Sequence, residues 1–304
     1  MLDLISIGTV TIDLYYKGAS LTENKESFNL AIGGKYFVDH FYEGLGGGGA
    51  NVAIGVKRLG RKSGLMAKIG DNPFKSLIFS KLDETGIEYK DFCSVEKDYN
   101  NISSILLSKS GEKTIINYRT PHQHIISTEK DYDVLLKAQA VYMANLAGVS
   151  FKDRIDMLRH AKKYVRTTFA NLNVTDCRRH IEEILHFLDP VDIFIINTHE
   201  FADLVKTSYE AIDFHTNVVS KFSPFHHEKM LVLTDGRKGS FTYYEGRVYH
   251  EPAVKHVEVV DATGAGDGYT AGFISEYLQT KDIKKSMKAG ADYATVILQK
   301  LGSN

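Results

Sequence analysis

The segment ATGAGDGYTAGF, residues 262–273, places three small residues directly before one carboxylate. Gly264, Ala265 and Gly266 precede Asp267, and a pattern typical of a helix follows. Small residues let an anion approach the free backbone N–H groups at a helix N-terminus, where the helix dipole also favours negative charge. A carboxylate beside a bound anion repels it unless it has a chemical task, such as accepting the proton of a hydroxyl that attacks phosphorus. Taken alone, GAGD favours the simpler interpretation, in which the carboxylate is an ordinary acid in a first helical turn.

A second glycine-rich stretch, GLGGGGAN, lies between a strand-like run and a predicted helix. Gly44, Gly46 and Gly49 match the dinucleotide-binding pattern GxGxxG, and Asp71 follows at roughly the distance of its acidic partner. An NAD-dependent oxidoreductase is therefore an alternative. However, several non-helical strands precede the glycines, and Asp71 in KIGDNPF has the setting of a turn residue. The chain has neither the GxxxxGK[ST] of P-loop enzymes nor the HRD and DFG of protein kinases.

Hydrophobic periodicity predicts the elements that hold these residues. LISIG predicts a buried strand, and residues 9–43 predict two or three further strands before the helix NVAIGVKRLG. ISSILLSKSGEKTIINYR predicts a hairpin that turns at Ser110–Gly111 and adds to the same small sheet. From about Asp131, strands and helices alternate, which indicates a mostly parallel sheet covered by helices on both faces. A predicted strand, HVEVV, places ATGAGD at a strand-to-helix turn.

Composition narrows the function classes. The 304 residues carry a net charge of -1, which gives no field for nucleic acid or an anionic membrane. Two cysteines, Cys93 and Cys177, make neither a disulfide framework nor a zinc motif and suit a reducing cytoplasm. The opening MLDLISIG has no signal-peptide pattern, and no apolar run approaches the roughly 18 residues of a membrane span. We therefore expect a cytoplasmic protein with no nucleic-acid or membrane partner.

Four motifs in order resemble those of the ribokinase-like (PfkB) family of carbohydrate kinases. DATGAGD resembles the family signature DTxGAGD, with Ala262 in place of the usual Thr, and GGGGANVAIGVKRLG resembles its GGxxxN-helix signature. NTHE at 197–200 and TDGRKG at 234–239 resemble its NxxE and T-x-G-x-x-G elements. The resemblance covers nearly the whole chain. It implies one α/β domain, residues 1–304, built as a three-layer α/β/α sandwich with a mostly parallel central sheet and a small projecting β-sheet lid.

The resemblance also implies an activity, which is ATP- and Mg²⁺-dependent phosphorylation of a hydroxymethyl group on a sugar or sugar-like substrate. Asp267 would be the catalytic base, and the backbone of residues 264–266 would form the anion hole. The lid, from about 11–43 and 102–119, would close over the substrate and exclude water. The other implied roles are substrate binding by Asp13, Gly47, Gly48, Asn51 and Arg119, nucleotide binding by Asn197, Glu200, Thr234, Gly236 and Gly239, and partly water-mediated Mg²⁺ binding by Glu200.

The sequence departs from the family pattern in three places. Gly48 stands where relatives often have Lys or Asn. Asp261 and Thr263 help to bind K⁺ in potassium-activated relatives, but the later segment that completes that site is missing after LGSN, which weighs against potassium activation. The lid residue that sets specificity is not evident. Tyr118 and Arg119 are candidates, and Arg119 would contact an acidic or multiply hydroxylated substrate unless it is a solvated arginine at a strand end.

The same residues leave alternatives open. A nucleoside kinase of the same fold would need lid side chains that stack on a base, and the lid region contains Tyr15, Tyr16, Phe28, Phe37, Phe41 and Tyr42. A non-catalytic sugar- or nucleotide-binding protein is less favoured, because it should have lost Asp267 or a cradle glycine. A homodimer paired through exposed lid edges is a further expectation.

Overall fold

The computed structural model describes residues 1–24, 27–109, 112–121, 129–146, 148–164, 167–221 and 229–304. The strands, numbered in chain order, are β1 (Leu2–Ile7), β2 (Thr11–Lys17), β3 (His40–Gly46), β4 (Ser63–Met66), β5 (Lys68–Gly70), β6 (Ser94–Glu96), β7 (Asn101–Leu107), β8 (Lys113–Arg119), β9 (Ala138–Met143), β10 (Thr167–Ala170), β11 (Ile193–Asn197), β12 (Met230–Thr234), β13 (Ser240–Tyr244) and β14 (Arg247–Glu251). The α-helices are α1 (Gly48–Arg58), α2 (Lys75–Thr85), α3 (Phe151–Lys162), α4 (Val174–Cys177), α5 (Ile181–Leu188), α6 (Thr198–Leu204), α7 (Val218–Lys221), α8 (Ala265–Thr280) and α9 (Ile283–Leu298). Short 3₁₀ segments cover Glu129–Lys137, Tyr209–Ala211 and Gly236–Lys238.

The large sheet has eight strands in the order β14-β13-β12-β11-β10-β9-β1-β4. Its strands run parallel from β4 to β12, and the hairpin β13–β14 adds an antiparallel edge. Alternate side chains enter opposite cores, as strand geometry requires. Ile5 and Ile7 pack on the face that α3, α5 and α6 cover, whereas Leu4 packs on the face that α1, α8 and α9 cover. This confirms the predicted α/β fold with a mostly parallel sheet between helical layers.

The small sheet has four strands in the order β3-β2-β7-β8. Its register aligns Gly44, Asp13, Ser103 and Asn117 in one row across the strands. Neighbouring residues in such a row share a face of the sheet, so these polar residues meet on one side. The separate small sheet was predicted, and residues 9–43 contribute two strands to it, within the two or three expected. The predicted turn at residues 110–111 lies outside the described residues.

The predicted strand HVEVV is wrong. Residues 252–264 form no helix or strand, and His256 has a left-handed φ of 58° that interrupts an extended run. Val259 and Val260 are about half exposed, and the Val260 N–H donates to the Leu298 carbonyl at the end of α9. β-branched residues favour a strand only where a neighbouring strand accepts their backbone hydrogen bonds. A loop, rather than a strand, therefore leads into α8.

Other boundaries also differ from the prediction. SGLMAKIG forms two strands, β4 in the large sheet and β5, which pairs with β6 in a separate two-stranded sheet.

None of the described helices has the length and apolarity needed to cross a membrane.

Candidate active site

A cavity of about 430 Å³ lies between the carboxyl end of the large sheet and the small sheet. Residues at or just beyond the ends of β9 to β12 form its floor, namely Ala144, Asn145, Asn171, Ile195, Ile196, Asn197 and Thr234. Ligands in open α/β sheets bind at this edge because the strands end there and the loops leave a crevice. The N-terminus of α8 closes one side of the cavity through Gly266, Asp267 and Thr270.

The first turn of α8 has the form of an anion site. Gly264 is the N-cap residue with a left-handed φ of 77°, and a Cβ there would lie 2.3 Å from Ser303 Cβ, so only glycine fits. The Ala265 N–H donates to the Ala262 carbonyl at 3.3 Å. Gly266 faces open space in the cavity, where a Cβ would meet no atom within 4 Å. The remaining first-turn amides, with the helix dipole, favour an anion at this position.

Asp267 lies beside this turn with one carboxylate oxygen fixed. Its Oδ2 accepts a hydrogen bond from Asn51 Nδ2 at 2.7 Å. Burial raises the pKa of Asp267, because a carboxylate loses hydration there, and the Asn51 hydrogen bond partly lowers it again. A Cβ on Gly48 would lie 3.5 Å from Asp267 Oδ1, so Gly48 leaves room beside the other oxygen. The arrangement suits a general base that a substrate hydroxyl can reach.

Asn51 is itself held by the last residues of the chain. Its Oδ1 accepts hydrogen bonds from Ser303 Oγ at 3.1 Å and from Asn304 Nδ2 at 3.0 Å. An amide whose oxygen is bound in this way presents its nitrogen in a fixed direction. Asn51 was predicted to bind substrate, but it is not among the described residues that line the cavity. It contacts Asp267 instead.

Asn197 and Glu200 form a capping box at the start of α6. Asn197 Oδ1 accepts from the Glu200 N–H at 2.8 Å, and Glu200 Oε2 accepts from the Asn197 N–H at 2.9 Å. This is the helix-capping arrangement that the motif NTHE also allowed. Both residues line the cavity. Burial raises the pKa of Glu200 to about 6, opposed by the Asn197 backbone hydrogen bond and reinforced by Asp203 and Asp267.

The small sheet supplies the opposite wall with Asp13, Ser103, Ile105, Ile115, Asn117 and Arg119. Burial raises the pKa of Asp13 to about 6, against a hydrogen bond with Ser103, and Asp261 raises it further. Arg119 Nε donates to Asn101 Oδ1 at 3.2 Å. Tyr118 is 61% exposed and alternates with Arg119 along β8, so only Arg119 of these two specificity candidates reaches the cavity. Gly47 and Gly48 complete this side.

Of the remaining residues predicted to bind the nucleotide, one lines the cavity and two do not. Thr234 pairs in register with Asn197 and lines the floor. Gly236 and Gly239 belong to the turn between β12 and β13 and are not among the described lining residues. A Cβ on Gly239 would lie 2.1 Å from the Glu251 carbonyl, so this glycine allows close backbone packing.

The dinucleotide alternative does not fit the architecture. Gly44 and Gly46 lie in β3 of the small antiparallel-edged sheet, and only Gly49 lies in α1. The fingerprint requires the first strand of a βαβ unit followed by its helix. Asp71 makes an ion pair with Lys75 outside the cavity, rather than closing a second strand above it.

Asp261 and Thr263, the predicted monovalent-cation ligands, are bound by a lysine of the small sheet. Lys113 Nζ donates to Asp261 Oδ1 at 2.5 Å and to Thr263 Oγ1. The same Oδ1 accepts from the Thr263 N–H and hydroxyl, and Oδ2 accepts from the Gly302 N–H at 3.2 Å. The oxygen atoms that would coordinate a metal ion here thus already bind an ammonium group.

The sequence analysis missed several polar residues of the cavity. Asn145 and Asn171 come just after β9 and β10, so their position after a buried strand was a usable signal. Ser103 and Asn117 required the strand register, which sequence periodicity does not fix. Lys113 carried no signal, because its partner Asp261 is 148 residues away.

Divalent-metal binding by protein ligands alone is not indicated. No group of three or more His, Cys, Asp or Glu in the described part of the chain is arranged to hold a metal. Mg²⁺ typically binds one or two carboxylates together with substrate phosphates and water. Glu200, a cavity carboxylate with a raised pKa, suits this mode because a cation would stabilise its charged form.

The chain is similar to known proteins along nearly its whole length. A sequence model of the pfkB family of carbohydrate kinases matches residues 1–304. The nucleoside kinase of Methanocaldococcus jannaschii is 26% identical over 314 residues, which cover 97% of this chain and 90% of that protein. The 5-dehydro-2-deoxygluconokinase 2 of Bacillus cereus is 24% identical over 311 residues, which cover 98% and 90%. Among solved structures, Arabidopsis thaliana ribokinase complexed with ribose and ATP matches with a TM-score of 0.80 at 20% identity, covering 99% of this chain and 94% of that one.

Proposed function

Because the chain belongs to the pfkB family of carbohydrate kinases and is an ATP-dependent sugar or nucleoside kinase, we propose that it phosphorylates a hydroxymethyl group of a sugar with Asp267 as the base. The observation that carries this proposal is the pairing of Asp267 with the α8 N-terminus on one side of a closed-in cavity. That pairing brings a proton acceptor and a phosphate-binding turn to the same point, which is what transfer to a hydroxyl requires.

The proposed reaction is an in-line displacement. The acceptor oxygen forms a bond to the γ-phosphorus, the bond from that phosphorus to the β–γ bridging oxygen breaks, and the hydroxyl proton passes to Asp267. The first-turn amides around Gly266 stabilise the charge on the transferred group. The raised pKa of Asp267 makes it a better proton acceptor than an ordinary carboxylate, provided that it is ionised at the working pH.

Mg²⁺ fits the proposal through Glu200. When bound, the ion neutralises charge on the phosphates. Glu200 lines the cavity near the end of β11 and keeps one oxygen in the capping box with Asn197. Its second oxygen is the group that we propose for the metal or a metal-bound water, and Thr234 supplies a hydroxyl on the neighbouring strand.

The lid wall favours a sugar over a nucleoside. Asp13, Ser103 and Asn117 form a row of hydrogen-bonding groups that matches several hydroxyls. None of the aromatic residues in the lid region that could stack on a base is among the described residues that line the cavity. A nucleoside remains the second candidate, because Ile105 and Ile115 provide an apolar wall and one relative is a nucleoside kinase.

An acceptor screen tests the proposed function. Purified protein is incubated with Mg-ATP and a panel of sugars, sugar acids and nucleosides, and ADP release is measured. We expect turnover with at least one sugar. Turnover with nucleosides alone would support the second candidate, and ATP hydrolysis that no acceptor stimulates would contradict acceptor phosphorylation.

The Asp267→Asn variant tests the assignment of the base. The amide keeps the shape of the side chain but does not accept the proton, so we expect kcat to fall by roughly 10²–10⁴-fold. Asp292→Asn, on the exposed face of α9, is the matched control and should keep wild-type turnover. Asp292→Asn should unfold at the wild-type temperature and Asp267→Asn at that temperature or above it, because burial disfavours the carboxylate. Near-normal phosphorylation by Asp267→Asn would refute the assignment.

A further inference from the structure

Lys113 connects the small sheet to the loop that leads into α8. It lies at the start of β8 and shares one face of that strand with Ile115, Asn117 and Arg119, which line the cavity. Its ammonium group bonds Asp261 and Thr263 across 148 and 150 residues of sequence. Thr263 also lines the cavity and directly precedes the N-cap of α8.

Because the Asp261 side chain is buried, its contact with Lys113 matters for the stability of the charged carboxylate. The Asp261 side chain is 2% exposed, and that of Lys113 is 26% exposed. Burial disfavours an ionised Asp261, but hydrogen bonds from Lys113 and Thr263 outweigh it and lower the pKa of the carboxyl group. Removing one partner of a buried pair leaves an uncompensated charge, which is strongly unfavourable. The loop ahead of α8 therefore depends on a cation for its conformation.

The loop is also fixed from the other side. The Val260 and Asp261 N–H groups donate to the Leu298 carbonyl, and Asp261 Oδ2 accepts from the Gly302 N–H. The backbone of Asp261 is thus bound to α9 and its carboxylate to Gly302, while Lys113 connects that carboxylate to the lid. Movement of the lid away from the cavity would break the Lys113 contact and leave the bonds to Leu298 and Gly302 in place.

We propose that Lys113 is a positioning residue whose ammonium group, carried by the lid, takes the place of a monovalent metal ion at Asp261 and Thr263. Lid closure then completes the loop that orients the anion-binding turn of α8. Phosphoryl transfer by this chain consequently requires no added K⁺. This inference rests on the proposed kinase function, but its structural part is testable without turnover.

The kinetic test compares wild type, Lys113→Met and the control Lys109→Met, an exposed lysine in the same hairpin. ADP release is measured in KCl and in choline chloride of equal ionic strength. Wild type should have the same kcat in KCl as in choline chloride, and so should Lys109→Met. Lys113→Met should lose about tenfold or more in kcat in choline, since small misplacements of reacting groups are costly, and should regain much of it in KCl or NH₄Cl. A wild type activated severalfold by K⁺, or a Lys113→Met variant with normal kcat in choline, would overturn the proposal.

A binding measurement separates this proposal from the kinase assignment. The unfolding temperature of Lys113→Met should rise with KCl relative to choline chloride, because only a ligand of the folded state raises it. Wild type should show no such difference, and neither should Lys113→Met combined with Asp261→Asn, which lacks the carboxylate. Equal unfolding temperatures of Lys113→Met in both salts would reject the cation site even if the protein proves inactive with every acceptor. If Lys113→Met does not fold in choline, its folding in KCl alone supports the proposal, and Lys113→Arg then provides the kinetic comparison.

Discussion

The proposed base and its partner form a chain of hydrogen bonds that extends to Ser303 and Asn304. Asp267 accepts from Asn51, and Asn51 accepts from Ser303 and Asn304. Each bond fixes the orientation of the next side chain. The carboxylate therefore has a defined direction before any substrate binds, which is the preorganisation that enzymatic electrostatics requires.

Replacing Asn51 should shift the pH dependence of the reaction. Asn51→Leu keeps the size of the side chain and removes the hydrogen bond that lowers the pKa of Asp267. We expect the acidic limb of kcat/KM to move to higher pH, because a base with a higher pKa is protonated at higher pH. Turnover on the acidic side of the profile should therefore fall relative to wild type. The full pH–rate profile checks this, and an unchanged acidic limb with normal protein stability would contradict the role of Asn51.

At the scale of residues, the sequence predicted which side chains belong to the site better than it predicted which of them contact each other. Asp267, Gly266, Glu200 and Asp13 were expected from motifs, and all four line the cavity. Asn51 was also expected in the site, but its contact with Asp267 depends on helix packing that no local pattern encodes. The polar residues that follow buried strands were recognisable in principle, whereas the lid row required the strand register.

At the scale of elements, the N-terminus of α8 depends on the chain end packed against it. Gly264 approaches Ser303 so closely that no larger residue fits, and Asn304 Nδ2 bonds the Leu45 carbonyl at 2.8 Å as well as Asn51. The segment after α9 thus connects the anion-binding turn to β3 and α1. The sequence suggested no function for this segment.

Removing the polar groups of this segment should weaken catalysis chiefly through Asn51, although hydrogen bonds to the Leu45 carbonyl are lost as well. Ser303→Ala with Asn304→Ala frees the Asn51 amide to rotate, so we expect a threefold to tenfold loss in kcat, about the worth of a hydrogen bond. The same pair of substitutions in an Asn51→Leu background should have little further effect, because contacts in one network are not additive. Additive losses in kcat would show that the segment acts by another route.

Element types were predictable from periodicity, and pairing was not. Apart from HVEVV, the alternating strands and helices after Asp131 were predicted correctly, because a hydrophobic pattern sustained over several residues distinguishes a strand from a helix. The prediction for HVEVV failed because its composition suits a strand, but it pairs with no strand in the described part of the chain. The division of SGLMAKIG between β4 and β5 likewise depends on tertiary partners.

At the scale of the whole molecule, two sheets of different construction meet at one cavity. The large parallel sheet supplies fixed strand ends, and the small sheet brings Asp13 and Arg119 over them. Polar contacts bridge these parts near the reaction point, from Lys113 to Asp261 and Thr263 and from Asn304 to the Leu45 carbonyl. Lid-mediated dimerisation and a cytoplasmic location stay predictions.

The placement of Asp13 implies that the unliganded protein gives up stability for its site. Burial raises the pKa of Asp13 from 3.8 to about 6, so folding favours its protonated form. Its contribution to stability is present below the unfolded-state pKa and is lost as pH rises through about 6. Asp13→Asn should therefore be more stable than wild type at pH 8 by up to roughly 2–3 kcal/mol, and the difference should vanish near pH 4. Urea unfolding between pH 4 and 8 measures this, with exposed Glu258→Gln as a control of equal charge change. If the stability of Asp13→Asn and of the control depends on pH as that of wild type does, burial does not destabilise the Asp13 carboxylate. If only Asp13→Asn differs, the lid carries a destabilised ionised acid, which the hydroxyls of a substrate would stabilise.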